Sequence, residues 1–120
     1  MQRDVYDCKP LPHWGQGAIT LVGDAAHPMT TSLAQGACQA IEDAVTLGQC
    51  LRETDDIASA LVCYESQRLS HAQRVVEASR RFGDVAHHED PAPCLLSEAS
   101  FHQLFESIYT TPLTWIVRGA

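Results

Sequence analysis

The feature that most constrains this chain is a run of β-formers that ends abruptly in the pair Gly23-Asp24. Residues 18–22 (Ala-Ile-Thr-Leu-Val) are apolar and partly β-branched, which is typical of a strand, and Gly23 closes the run. A short polar connection follows, and helix-forming residues begin at about Leu33. A strand that turns into the N-terminus of a helix is a common support for an anionic or polar cofactor, because the first-turn amides remain free to donate hydrogen bonds.

The length of the connection between strand and helix predicts how close Asp24 lies to the helix. Eight residues, 25–32, join the two elements, and Pro28 stiffens the connection. We therefore expect the Asp24 carboxylate and the amides of Gln35 and Gly36 to converge on one shallow cleft. Their separations should stay below about 15 Å, the reach of four or five extended residues. The alternative is a plain tight turn in which the aspartate caps a neighbouring amide.

The first helix is predicted over about residues 33–52. Ser32 and Gln35 have the spacing of a capping box, in which each side chain satisfies one free amide. Small and apolar residues recur at helical spacing and predict a face that packs against the strand and the second helix. These residues are Ala37, Ile41, Ala44, Val45, Gly48 and Leu51. Glu42 and Asp43 lie outside that face and are expected to be less constrained.

A longer second helix is predicted over about residues 57–86, with Asp55 or Asp56 as its cap. Arg68 interrupts its apolar stripe, which consists of Leu61, Tyr64, Ala72, Val75 and Phe82. The spacing of its charged residues predicts ion pairs on a solvated face. The pairs are Glu65 with Arg68, and Glu77 with Arg80 and Arg81.

Together these elements predict a mostly α fold with a short β segment. Residues 1–90 form the predicted folded part, and residues 91–120 form a tail, because two prolines follow the second helix. A short edge strand at 3–7 and a short third helix at 98–109 are also predicted. The apolar end of the tail is a candidate surface for association with another polypeptide.

Charge and hydropathy argue against several classes of function. The chain has 120 residues and a formal net charge of −7, and its eight Lys and Arg residues are spread along it. This distribution argues against nucleic-acid binding and against a polybasic membrane patch. No apolar run approaches the roughly 18 residues of a membrane span, and the N-terminus lacks the apolar core of a signal peptide. We therefore expect a cytoplasmic protein without a membrane span.

The cysteines and histidines do not form a metal-binding pattern. The five cysteines are odd in number and have no Cys-x-x-Cys spacing, which predicts buried, reduced thiols. The six histidines are scattered, and the cluster at 87–90 (His-His-Glu-Asp) is typical of a solvated helix end. No metal site is expected.

Residues 19–45 resemble the second flavin-binding motif of the FAD-dependent aromatic hydroxylases, which fold like para-hydroxybenzoate hydroxylase. The salicylate-hydroxylase-like members are the most similar in pattern. They carry Gly-Asp-Ala-Ala-His-Pro, then Gly-Gln-Gly at a helix start, then Ala-Ile-Glu-Asp-Ala. This chain has the first and last of these motifs, at 23–28 and 40–44, and has Ala34-Gln35-Gly36 at the helix start. The likeness extends over about residues 5–90.

The resemblance implies a cofactor-binding role for Gly23, Asp24, Pro28, Gln35 and Gly36. It implies that the Gly23-Asp24 aspartate bonds the ribityl chain of FAD and that Pro28 borders the isoalloxazine ring. The amides at Gln35 and Gly36 would face the flavin's pyrimidine carbonyl, where the positive end of the helix stabilises the reduced cofactor. No catalytic residue is assigned. His27 is interpreted as a packed loop histidine, and Tyr64-Glu65-x-x-Arg68 as structural.

The function implied is that of an FAD-binding segment of a monooxygenase, which would hydroxylate a small aromatic molecule with NAD(P)H and oxygen. The family's N-terminal βαβ unit, with its Gly-x-Gly-x-x-Gly turn, has no counterpart in this sequence. The chain is therefore expected to be a fragment of an α/β FAD-binding fold, completed by an N-terminal half. Thr31 and Ala34 depart from the family pattern, which has proline and glycine there. The alternative is a non-catalytic remnant that acts as a helical scaffold or interaction module.

Overall fold

Two helices joined by three residues make up most of the structure. The computed structural model describes residues 8–87 and also His102, Gln103, Phe105, Glu106 and Ile108. Helix α1 spans Gly36–Glu53 and helix α2 spans Ile57–His87. Of the two predicted caps Asp56 is the one used, since its carboxylate accepts the Ser59 N–H at 2.9 Å. The short connection turns α2 back along α1.

A small β-hairpin precedes the helices. Strand β1 (Gly15–Gln16) pairs antiparallel with β2 (Ile19–Thr20). The strand predicted at 18–22 is therefore shorter than expected. Among the described residues β2 pairs only with β1, and a lone two-stranded ribbon holds little strand structure. The edge strand predicted at 3–7 lies outside the described residues.

Helix α1 begins later than predicted, at Gly36 rather than at about Leu33. Residues Thr31–Leu33 form a 3₁₀ turn, and Ala34 then adopts a left-handed backbone conformation (φ 53°, ψ 26°). That residue breaks the helical path, so Gln35 becomes the residue before the helix. Its side chain makes no capping hydrogen bond, and the predicted capping box is therefore wrong.

The face of α1 that is buried is not the one predicted. The helix buries Gln39, Asp43, Thr46 and Cys50, which recur at helical spacing. Ile41 is 65% exposed and Leu51 is 45% exposed; Ala37 and Ala44 are exposed as well. The cause lies on α2, where a buried arginine requires the acceptors that this polar face supplies.

The core lies between α2, the inner side of α1 and the segment that leads from the hairpin to α1. Its larger cluster consists of Trp14, Ala26, Cys50, Ala60, Tyr64 and Ala72. A second cluster joins Val75, Ala78 and Ile108, with Met29 and Leu33 packed against it. The five described residues between 102 and 108 are helical; the rest of the helix predicted at 98–109 lies outside the described residues. No helix in the described part of the chain has the length and hydropathy to cross a bilayer.

Candidate functional site

The Asp24 carboxylate and the start of α1 lie side by side, as the short connection predicted. A Cβ atom built on Gly36 would be 3.8 Å from Asp24 Oδ1 and 3.9 Å from the Met29 side chain. The separation is thus far below the predicted limit of about 15 Å. Asp24 is exposed, so its carboxylate is available to a ligand at this edge of the molecule.

Gly23 supports Asp24 through a conformation that other residues adopt only with strain. Its φ is +60°, and a Cβ atom there would be 3.2 Å from the Ala40 side chain. Its carbonyl accepts the N–H groups of Ala26 and His27 at 2.8 and 2.9 Å. The glycine therefore sets the tight turn that aims Asp24 at the helix.

The N-terminus of α1 is the positive end of the helix dipole, and its first-turn amides have no acceptor within the helix itself. No acidic residue occurs in its first turn, so the helix dipole is not offset there by a side chain of the helix itself. Gln35, just before the helix, is buried. Pro28 is half-buried and lines a small cavity with Trp14 and Val76. The structure thus joins Gly23, Asp24 and Gly36 in one place and sets Pro28 against the core.

Beneath this cleft Asp43 connects the Gly23 turn to α2. Its carboxylate is fully buried and accepts the Gly23 N–H at 2.9 Å and His27 Nε2 at 2.6 Å on one oxygen. The other oxygen accepts Arg68 Nε at 2.8 Å. Asp43 therefore fixes the loop that carries Asp24, contrary to the expectation that it would be little constrained.

Arg68 is buried and completes the network from the side of α2. Only 2% of the residue is exposed. Besides Asp43 it donates to Glu42 Oε2 at 2.6 Å and to Gln39 Oε1 at 2.8 Å. The prediction that Arg68 pairs with Glu65 on a solvated face is wrong. The signal that could have found the network is the charged residue inside an apolar stripe, since such a residue requires partners.

Glu65 instead fastens the hairpin to α2. Its carboxylate accepts the backbone N–H groups of Trp14 and Gly15 at 3.0 and 2.8 Å, and it contacts the His13 ring at 3.2 Å. Partial burial acts to raise the pKa of Glu65, but the bonds from Trp14, His13 and Gly15 outweigh it and lower that pKa. The pair Glu77–Arg81 does lie on the surface, as predicted.

His27 is a packed residue rather than one open to a ligand. It is 4% exposed, and its ring lies 5.5 Å from that of Trp14. The ring donates a hydrogen bond to Asp43 through Nε2. The other ring nitrogen, Nδ1, is buried and has no hydrogen-bond partner in the described part of the chain. Among the described residues no group of three His, Cys, Asp or Glu could hold a metal ion.

The network predicts that acid destabilises the fold through Asp43. Burial acts to raise the pKa of Asp43, but hydrogen bonds from His27, Arg68 and Gly23 outweigh it and the pKa is lowered. A carboxyl whose pKa is lower in the folded than in the unfolded chain contributes stability above about pH 4, and this is lost as the pH falls through its folded value. We expect the free energy of unfolding, measured by urea denaturation, to fall steeply below pH 4.

The variant Asp43→Asn should flatten that fall, because it removes the titrating group. The matched variant Asp55→Asn, at an exposed position, should leave it unchanged. If the free energy of unfolding fell equally steeply with decreasing pH in Asp43→Asn and in the parent chain, Asp43 would not be the group responsible.

Ala34 carries a strain that glycine would relieve. Its left-handed backbone costs an L-residue about 1–2 kcal/mol, whereas glycine's greater freedom when unfolded costs about 0.5–1 kcal/mol. We expect Ala34→Gly to raise the free energy of unfolding by about 0.5–1 kcal/mol in urea denaturation. The control Ala44→Gly lies at an exposed position in the middle of α1 and should lower it by about 1 kcal/mol. A lower free energy of unfolding in both variants would show that Ala34 is not strained.

The sequence matches a known family over the part that forms these contacts. The model of the family described as FAD binding domain matches residues 10–79. That range contains the hairpin, the Asp24 cleft, all of α1 and the buried network around Asp43 and Arg68.

Several characterised enzymes are similar to the chain. It is 51% identical over 82 residues to 3-hydroxybenzoate 6-hydroxylase of Klebsiella oxytoca, covering 68% of this chain and 21% of that enzyme. It is 41% identical over 98 residues to aurachin C monooxygenase/isomerase of Stigmatella aurantiaca, covering 82% and 26%. It is 39% identical over 103 residues to FAD-dependent urate hydroxylase of Klebsiella pneumoniae, covering 86% and 26%. The chain spans about a quarter of the length of these relatives.

Proposed function

Because this chain belongs to the FAD binding domain family, we propose that it is the flavin-binding segment of a monooxygenase that hydroxylates a small aromatic molecule with NAD(P)H and oxygen. The resemblance of residues 19–45 to the FAD-dependent aromatic hydroxylases is confirmed, and FAD is the cofactor of the family. The observation that carries the proposal is the position of the exposed Asp24 carboxylate beside the first residue of α1.

The residues in the cleft fit the polar parts of FAD. An ionised carboxylate at Asp24 accepts hydrogen bonds from hydroxyl groups, as on a ribityl chain, and the amides from Gly36 onward donate to a carbonyl oxygen. Gly36 leaves open the space that a side chain would fill between Asp24 and Met29. When bound, FAD supplies the redox and oxygen chemistry, while the chain binds the cofactor and orients it.

Exposed apolar residues support the further proposal that this segment packs against an upstream half. Ile19 on β2 is 74% exposed, Val62 on α2 is 70% exposed, and Ile41 on α1 is 65% exposed. The relatives are about four times as long as the matched segment. We propose that the rest of the FAD-binding fold covers these positions and holds the adenine and pyrophosphate.

Two FAD titrations, followed by flavin fluorescence, test the proposal. The isolated chain should bind FAD with a Kd weaker than about 1 μM, because it holds only part of the cofactor. A chimaera should bind FAD about as tightly as the parent enzyme if residues 10–79 replace the matching segment of Klebsiella oxytoca 3-hydroxybenzoate 6-hydroxylase. Sub-micromolar binding by the isolated chain would refute the incomplete site. A folded chimaera without flavin would refute the cofactor role.

The same exposed apolar positions favour a second candidate, a helical interaction module without flavin. This function predicts that the chain remains colourless and folded, and that the folded chimaera also lacks flavin. The chimaera titration therefore separates the two candidates.

A further inference from the structure

Two cysteines face each other where α1 packs against α2. Cys50 on α1 is 1% exposed, and Cys63 on α2 is partly exposed. One nitrogen, Gln67 Nε2, lies 3.1 Å from the Cys63 sulfur and 3.6 Å from the Cys50 sulfur. The two thiols are therefore neighbours, and both are free.

The two thiols differ in ways that suit a sequential reaction. Burial and the hydrogen-bonding contact with the Cys63 thiol raise the pKa of Cys50 to about 12, so Cys50 is a poor first nucleophile in neutral solution. Cys63 is the more exposed thiol, and it is the one that an oxidant in solvent reaches first. Cys38 offers a contrast, because it is an exposed cysteine on the same helix as Cys50.

We propose that Cys50 and Cys63 form an oxidation site at which hydrogen peroxide cross-links α1 to α2. The Cys63 thiolate attacks one peroxide oxygen, the O–O bond breaks, and hydroxide leaves and takes up a proton to give water. The Cys50 sulfur then attacks the Cys63 sulfenic acid; the S–O bond breaks, and the departing hydroxide takes up the Cys50 thiol proton to give a second water. In sum two thiols and one hydrogen peroxide give one disulfide and two waters.

The position of the site predicts its effect on the fold. Cys50 lies two turns from Asp43 along α1, and Cys63 lies about one turn from Arg68 along α2. A bond between the two sulfurs closes a short loop around the connection between the helices and restricts the unfolded chain. Oxidation should thus stabilise the helix pair that holds the Asp43–Arg68 contact.

The test uses a full-length variant that retains only this pair, Cys8→Ser with Cys38→Ser and Cys94→Ser. After treatment with hydrogen peroxide and alkylation of free thiols, mass spectrometry should show the loss of two hydrogens and no alkylation. Tryptic fragments 4–52 and 53–68 should be joined until dithiothreitol separates them. The melting temperature should rise by about 5 °C or more on oxidation and return on reduction.

Control variants make the result decisive. Adding Cys63→Ser to the two-cysteine variant should leave Cys50 reduced, because the buried Cys50 thiol does not react directly with hydrogen peroxide. The variant Cys50→Ser should take Cys63 to sulfinic acid, since no resolving thiol remains. The proposal is overturned if the two-cysteine variant gives sulfinic acid at Cys63, or chains linked to one another through Cys63, in place of the internal cross-link.

Discussion

Replacing Arg68 with methionine should lower the free energy of unfolding by about 3–5 kcal/mol, because it leaves the Asp43 carboxylate buried without its cation. Arg68 is 2% exposed and donates to Asp43, Glu42 and Gln39 at 2.6–2.8 Å. Methionine fills much of the same volume, so the loss reports on the charge and its hydrogen bonds more than on packing. Urea denaturation at neutral pH, followed by circular dichroism, measures the change.

The matched control is Arg81→Met on the same helix. Arg81 pairs with Glu77, but both side chains are more than half exposed, and such a pair contributes about 0–1 kcal/mol. A difference of less than about 1 kcal/mol between the two variants would show that the buried network does not hold the fold. The comparison keeps the substitution and the helix the same and changes only burial.

The arrangement of the cleft could be predicted from the sequence because it depends on local chain geometry. Eight residues between strand and helix cannot carry the helix far from Asp24, whatever the rest of the chain does. The long helix α2 was also predictable, since its apolar stripe recurs at helical spacing over many turns. Both predictions needed only the order and spacing of nearby residues.

The buried face of α1 could not be predicted from its hydropathy pattern, because two of its faces carry residues that could be buried. Small and apolar residues such as Ile41 predicted the buried face by hydropathy, yet Asp43 is the residue that is fully buried. The choice depends on Arg68, 25 residues further along the chain, whose burial requires acceptors from α1. A contact at that sequence distance carries no periodic signal.

The length of the strand also could not be predicted from the residues that form it. Residues 18–22 have strand-forming side chains, but only Ile19–Thr20 pair, because β1 is their one partner among the described residues. The length of a strand depends on the neighbouring strands with which it pairs. Beyond β2, Leu21 donates its N–H to the Trp14 carbonyl at 3.0 Å and accepts the Tyr64 O–H at 3.3 Å. Under the proposed function a further partner strand belongs to the upstream half.

Replacing Asp24 with alanine in the chimaera should weaken FAD binding by about 10- to 150-fold. A hydrogen bond to a charged group contributes about 1.5–3 kcal/mol, and each 1.4 kcal/mol is a factor of ten in Kd. Because Asp24 is exposed and its neighbour Gly23 makes the buried contact with Asp43, the free energy of unfolding of the unliganded protein should hardly change. FAD titration and urea denaturation of the same variant therefore separate a binding role from a structural one.

Asp55→Ala, also exposed, serves as the control and should bind FAD as the unmodified chimaera does. If Asp24→Ala matched that control in affinity, the Gly23-Asp24 pair would be a plain turn and the amides of α1 alone would remain as the candidate flavin contact.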